Sequence, residues 1–356
     1  MSSRPLAQSS RTIPALDGFR ALAVGIVILY HSPIGAGIPG DLGVSAFFTL
    51  SGFLITWLLI QEYDRTGTMS LRAFYRRRLF RIAPAYYSYL LLSLVADTAL
   101  HHPWSVGLFT SAVTGTMDYY NALLHDPINS ASHLWSLGVE EKFYFLWPLA
   151  FLALWRGGLQ RTQQTLLVMV GLILAWRTLL YCTHLLPVSY LYNAFDTRAD
   201  NIAIGCLLAM CYTQSWFQSF QRQISGSAWW PLLTVLLLTT SRLWIGTAYH
   251  YTIGFTLNAV LFAILITQLI PLSVRHPAWR WLNAPAIRWL GALSYSCYLY
   301  HGWGTAIGIR LTHHSPSAWA FGVDYTAVIA LAALSYYAIE QPALRYGRRS
   351  HPPAAT

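Results

Sequence analysis

Lysine is almost absent from this chain: Lys142 is the only one in 356 residues, and Asp, Glu, Lys and Arg together make up 10% of it. Soluble globular domains carry roughly a quarter charged residues, so a water-soluble fold is excluded. Cysteine is also scarce. Cys182, Cys206, Cys211 and Cys297 lie in or beside apolar runs without ligand spacing, so they read as small packing residues and no metal site is expected. The chain opens with no charged n-region, short apolar core and small-residue cleavage site, so its first apolar segment reads as a retained helix. It also lacks any repeat, linker or compositional break. One membrane domain over 1–356 is expected, with short tails at about 1–12 and 341–356.

What is present is apolar: 55% of residues are hydrophobic and the mean hydropathy is +0.42. Runs long enough to span a bilayer lie at roughly 15–33, 42–61, 82–100, 138–155, 163–182, 199–214, 228–246, 252–272, 288–310 and 321–340. Each is near the ~20-residue requirement or its lower edge. The expected fold is therefore an all-α polytopic membrane protein, a bundle of about ten transmembrane helices.

Arginine sets the orientation. Threading ten spans with the N-terminus inside puts Arg4, Arg11, Arg65, Arg72, Arg76, Arg77, Arg78, Arg81 and most others on one side. The opposite side keeps chiefly Arg198, Arg242 and Arg310, so both termini should be cytoplasmic. The net charge of +10 is then topology plus an anionic ligand, and nucleic acid is the less economical partner.

Arg20 and His31 close the two ends of an uncharged apolar run in the first span. Ionisable groups inside a membrane helix are costly and usually face a cavity, which makes them candidate functional residues. Eleven residues of helix bring them within about 20° of one face and about 16 Å apart. Arg20 is expected at one membrane surface and His31 deep inside. A linear substrate with an anionic head and a reactive far end could be gripped at one and worked on at the other.

A second constellation, Arg72 to Pro84, lies on the inner side before the third span. Pro84 fits the first turn of that helix, and Arg78 and Arg81, at i and i+3, share a face suited to bidentate phosphate recognition, with Arg77 beside them. Basic residues at a cytoplasmic helix end are also ordinary topology signals and headgroup contacts.

A third, His133 to Tyr144, enters the fourth span from the outer side and contains Trp135, Ser136, Glu140, Glu141 and Tyr144. The paired carboxylates read as dipole capping or as a partner for His31, where one of them would hold the imidazole in a useful tautomer. Physics alone does not choose between Glu140 and Glu141. Two polar patches interrupt later spans. Asp196 to Asn201, with Arg198 and Asp200, reads as an outer ion pair anchoring its helix or as a substrate contact. Ser294 to His301 reads as an interhelical hydrogen-bond site or as part of catalysis.

These segments together resemble the acyltransferase-3 family of integral membrane acyltransferases. The resemblance rests on Leu16-Asp-Gly-Phe-Arg20 with His31 eleven residues on, Gly43 to Ile55, Arg78-Leu-Phe-Arg81, Leu134-Trp-Ser-Leu-Gly-Val-Glu140, Arg198-Ala-Asp200 and Leu293 to His301. Six motifs in family order along almost the whole chain are specific. The resemblance implies transfer of an acyl group, commonly acetyl from acetyl-CoA, to a hydroxyl of a glycan or small glycosylated acceptor. It also implies a multi-pass protein of the bacterial cytoplasmic (inner) membrane.

Carried onto this chain, the resemblance makes Arg20, His31, Arg78 and Arg81 the functionally important positions and favours Glu140 as the acidic one. The expected mechanism has Arg20, Arg77, Arg78 and Arg81 binding acyl-CoA, the only cofactor-like molecule expected, as a donor substrate. His31 acts as general base or as an acyl-accepting nucleophile, oriented by Glu140. Trp135, Ser136, Tyr144, Arg198, Asp200 and His301 support the acceptor side. Many family members carry a soluble SGNH-type domain after the membrane region, and with about sixteen residues beyond Glu340 none is expected here. Readings from other classes are a transporter of an anionic solute or proton, for which no paired Gly/Pro-broken helices speak, and a non-catalytic subunit of a polysaccharide export complex. The acceptor's identity and the oligomeric state are not legible.

Overall fold

The computed structural model describes residues 13–35, 37–124, 129–313 and 317–349. The expected tail at 1–12 and the last part of that at 341–356 lie outside the described residues, as do Arg4 and Arg11. Among the described residues the secondary structure is entirely helical. The chain runs through α1 (Pro14–His31), α2 (Gly40–Thr66), α3 (Leu71–Ala99), the short α4 (Val106–Thr114) and α5 (Met117–Leu124), α6 (Trp135–Trp155), α7 (Leu159–Thr183), α8 (Val188–Asn193) and α9 (Phe195–Cys211). It continues through α10 (Ser215–Ile224), α11 (Trp230–Trp244), α12 (Thr247–Tyr249), α13 (Phe255–Arg275), α14 (Pro285–Thr312), α15 (Ala318–Ser335) and α16 (Gln341–Arg349). Wider π turns at His250–Gly254 and Tyr336–Glu340 carry α12 into α13 and α15 into α16.

Each of the ten apolar runs falls on a helix. Among the described residues six helical segments are long and apolar enough to cross a membrane: Pro14–His31, Gly40–Thr66, Leu71–Ala99, Leu159–Thr183, Thr247–Arg275 and Ala318–Gly347. The other four runs lie on α6, α9, α11 and α14, which are shorter or interrupted by the polar motifs. The protein is an all-α, multi-pass membrane bundle.

Two helix boundaries differ from the sequence expectation, and both move functional residues. Ser32 leaves the helix in an extended conformation, its N–H and hydroxyl both donating to the Leu29 carbonyl. Pro33 follows, and the residue before a proline is disfavoured in α geometry. The first helix therefore ends at His31, which is exposed at its tip rather than deep inside the span. At α3 the Ser70 hydroxyl accepts from the Ala73 N–H, so the helix starts at Leu71 and takes in the whole basic stretch. Pro84 consequently lies inside α3 and not in its first turn, a position that membrane helices tolerate.

The core is organised around α2, which packs on α1 and α9, while α14 packs between α1 and α15. The α2–α9 contact is a reciprocal glycine pair. A Cβ on Gly52 would overlap the Ile202 carbonyl, and one on Gly205 would overlap the Thr49 carbonyl. Small residues let membrane helices approach to backbone contact. Gly205→Leu is therefore expected to lower the yield of monodisperse protein and to reduce the melting temperature in detergent. The cost of such overpacking is about 1–3 kcal/mol or more. Gly171→Leu, on α7 where a Cβ meets open space, should leave both unchanged.

Candidate functional site

A polar cavity opens where α1, α2, α3, α6 and α14 converge. Its charged and polar lining comprises Arg20, Arg78, Arg81, Glu140, Glu141 and Tyr144, with Ser51, Ser136, Ser294, Tyr295 and Tyr298; Val44, Phe47, Phe48, Ile82 and Leu137 complete the wall. The three guanidiniums reach it because α1 and α3 place them at similar depth, Arg78 and Arg81 one helical turn apart. None is closely neutralised. Arg20 stands 3.6 Å from Asp17 and Arg81 4.0 Å from Glu340, while Arg78 lies 4.7 Å above the Tyr144 ring and 5.8 Å from that of Phe74. Guanidiniums with donors to spare, partly withdrawn from water, suit a phosphate or carboxylate ligand.

Arg77 does not join them. It points to the exposed flank of α3 and pairs with Glu62 at 2.9 Å, because adjacent helical residues diverge by about 100°. Its expected share in acyl-CoA binding is corrected accordingly. The same divergence separates the two carboxylates. Glu140 accepts from Ser51 Oγ at 3.0 Å and from Tyr144 OH at 2.7 Å, whereas Glu141 turns toward Gly115 at the cavity's edge.

Glu140 thus belongs to the arginine cavity and not to His31, which corrects its expected role of orienting the imidazole. Among the described residues no hydrogen bond joins the two. His31 Nδ1 faces the Val27 carbonyl of its own helix at 2.8 Å. A carbonyl only accepts, so Nδ1 carries the proton and Nε2 is left as a free base. The ring neighbours of His31 are Tyr30, at 4.8 Å between centroids, and His301, at 4.6 Å. His301 in turn contacts His133 at 4.7 Å. Both follow the same rule: His301 Nδ1 faces the Tyr298 carbonyl at 2.6 Å, and His133 Nε2 faces the Leu299 carbonyl at 3.1 Å. Burial, helped by His31 nearby, pushes the His133 imidazole down to about 3, so it stays neutral at ordinary pH.

Tyr298 is the partition between the arginine cavity and the histidine cluster. It lines the cavity and meets Ser136 Oγ at 2.5 Å, its OH donates to the His133 carbonyl at 3.0 Å, and its ring lies 5.4 Å from that of His301. On its far side the cavity is backed by a second polar network. Asp200 forms the ion pair expected in its patch, but with Arg177 of α7 at 3.0 Å rather than with Arg198. Arg198 is fully buried and touches no carboxylate among the described residues. It donates to Ser45 Oγ and the Tyr192 carbonyl, and its guanidinium lies 3.8 Å from the Phe255 ring centroid, with Phe48, Trp135 and Tyr192 around it. Trp135 and Arg198 therefore support the wall without lining the cavity.

Sequence reasoning missed Ser51, Arg177 and Tyr89, whose ring packs 5.5 Å from that of His133. Arg177 carried a usable signal, a lone charge in the middle of an apolar run. Ser51 and Tyr89 carried none, since a single hydroxyl in a membrane helix is ordinary.

The sequence profile of a family described as "Acyltransferase domain" matches residues 13–339. Among curated proteins the chain is 28% identical over 362 residues to the peptidoglycan O-acetyltransferase OatA of Listeria monocytogenes, covering 95% of this chain and 57% of that protein. It is 29% identical over 371 residues to the O-acetyltransferase OatA of Staphylococcus aureus, covering 95% and 58%. The chain thus spans a little over half the length of these relatives. No solved structure matches it.

Proposed function

The chain belongs to this acyltransferase family, and on that premise we propose that it is a membrane-embedded O-acyltransferase moving an acetyl group from cytoplasmic acyl-CoA to a hydroxyl of a glycan at the outer face. The observation that carries this reading is one continuous arrangement: three loosely neutralised guanidiniums in a cavity whose partition, Tyr298, also holds a cluster of imidazoles with free ring nitrogens. Arg20, Arg78 and Arg81 bind the phosphates of the donor. Glu140, fixed by Ser51 and Tyr144, keeps the ring of Tyr144 beneath Arg78 and so sets the direction of that guanidinium. His31 Nε2 takes the proton of the acceptor hydroxyl as that oxygen attacks the thioester carbonyl. The proposed setting is the cytoplasmic membrane of a bacterium, with both termini inside; O-acetyl transfer is supported by the names of both relatives, and a glycan acceptor by that of the Listeria monocytogenes protein.

Radiolabelled acetyl-CoA with purified protein tests the reading directly. Stoichiometric thioester cleavage in the presence of a glycan acceptor is expected. Binding or flux without cleavage would indicate a carrier for an anionic solute, and no binding at all would indicate a non-catalytic subunit. Arg78→Lys keeps the charge but removes the planar fork. It is expected to raise KM for acetyl-CoA by about tenfold to a hundredfold, the equivalent of losing one charge-assisted hydrogen bond at about 1.5–3 kcal/mol. Unchanged KM in both Arg78→Lys and Arg81→Lys would leave the cluster a topology signal only.

A further inference from the structure

Resting on the reading of His31 as the base, we infer that His301 is its positioning partner, a neutral imidazole in ring contact with His31 that stabilises the positive charge of His31 once His31 has taken the acceptor's proton. The argument begins with what the cluster lacks. A general base that becomes a cation is helped by a group that shares its charge, and a carboxylate is the usual partner. Among the described residues the one histidine–carboxylate pair is His250 with Asp41 at 3.8 Å, and none of His31, His133 or His301 has such a partner. The groups that face the cluster are Tyr30 of α1, Tyr89 of α3, His133 before α6 and Tyr298 of α14. All are tyrosines or imidazoles.

Within that set only His301 can serve. Its ring contacts those of both other histidines, and it is 1% exposed, so its nitrogen lacks competition from water. Its Nδ1 is committed to the Tyr298 carbonyl, which fixes the tautomer and leaves Nε2 as an acceptor. His133 contacts the His301 ring and ties the start of α6 to α14 through the Leu299 carbonyl, while Tyr298 OH returns a bond to the His133 carbonyl. These two bonds hold the ring of His301 where it is. His31, by contrast, is exposed at the tip of α1, where an acceptor can reach it.

The step balances without further reactants. The acceptor oxygen forms a bond to the acyl carbon, the carbon–sulfur bond breaks, and the hydroxyl proton passes to His31 Nε2, from which it returns to the departing thiolate. His301 gains and loses no proton. It stabilises the transient His31 cation through the lone pair of its Nε2, because its own Nδ1–H points at a carbonyl that cannot take the proton onward.

The test is the pH profile of kcat in three variants. His301→Asn keeps a donor near the place of Nδ1 and deletes Nε2, and His301→Gln keeps an acceptor near the place of Nε2. Because a partner for the cation raises the base's working pKa, losing it lowers that pKa. The acidic limb of His301→Asn is therefore expected about one pH unit below wild type, a tenfold change in proton affinity. Its plateau kcat should be about tenfold lower, with KM for acetyl-CoA unchanged, and His301→Gln should lie between it and wild type. If the asparagine protein does not bind acetyl-CoA, His301→Leu reads the same limb. An acidic limb that stays in place, or moves to higher pH, while His31→Ala is inactive removes His301 from the mechanism and leaves the base reading intact. Turnover surviving in His31→Ala removes the base, and the inference with it.

Discussion

Alanine at His31 is expected to lower acyl transfer by about 10²–10⁴-fold, the range a positioned general base contributes, with acetyl-CoA binding within about twofold of wild type. The two readouts separate because the structure separates the residues. The guanidiniums of Arg20, Arg78 and Arg81 line one cavity, and His31 is not among its lining residues. The fold should not suffer. His31 is the last residue of α1 and exposed, its only hydrogen bond among the described residues is to Val27 within its own helix, and the helix stop is made by Ser32 and Pro33. Surface truncations of that kind usually change stability by no more than about 0.5 kcal/mol. The measurement is single-turnover thioester cleavage alongside equilibrium binding of acetyl-CoA to the same preparation. Near-normal turnover in protein that still binds donor would remove His31 from the chemistry. A covalent acyl-histidine would instead be trapped as label on wild-type protein when the acceptor is omitted, and the same label should vanish in His31→Ala.

The parts of this site that were legible in the sequence are those where charge stands out against its surroundings. Arg20 and His31 announced themselves as ionisable residues closing an apolar run, Arg78 and Arg81 as an i,i+3 pair in a dense basic stretch, and the cavity brings three of the four together. Interhelical partners were not legible. Nothing in the local sequence says that Glu140 meets Ser51 eighty-nine residues earlier, or that His301 lies against His31, since both follow from how α2, α6 and α14 pack around α1. The expected Glu140–His31 partnership failed for the same reason. A carboxylate and an imidazole in separate motifs suggested a dyad, but helix packing gave the carboxylate to the arginine cavity and a second imidazole to the first. Boundaries followed local chemistry more than hydropathy. Ser70 capping α3, and Ser32 with Pro33 ending α1, shifted those helices enough to change where Pro84 and His31 sit.

Under the proposed reading, sidedness gives an all-or-none result. The N-terminal turns of α3 carry Arg72, Arg76 and Arg77, and in the proposed orientation this end faces the cytoplasm. Arg20 and His31 are eleven residues apart on α1, about 16 Å at 1.5 Å per residue. His301 lies sixteen residues, about 24 Å, from the start of α14 at Pro285, a depth that matches the position of His31 at the far end of α1. The cavity guanidiniums and the imidazoles thus occupy two layers of the same bundle, separated by roughly half of a ~30 Å hydrocarbon core. An acyl group on an extended carrier arm anchored at the arginines can cross that interval without leaving the protein. In sealed proteoliposomes of one orientation, acetyl-CoA should drive acetylation only when added to the face that carries Arg72, Arg76 and Arg77. A membrane-impermeant glycan should be modified only when it is on the opposite face. Donor and acceptor confined to the arginine face should give no product, because His31 is exposed at the other end of α1. Equal acetylation in that single compartment, with none across the membrane, would leave an acyltransferase that works on one side, with the histidine layer playing no part in receiving the acceptor.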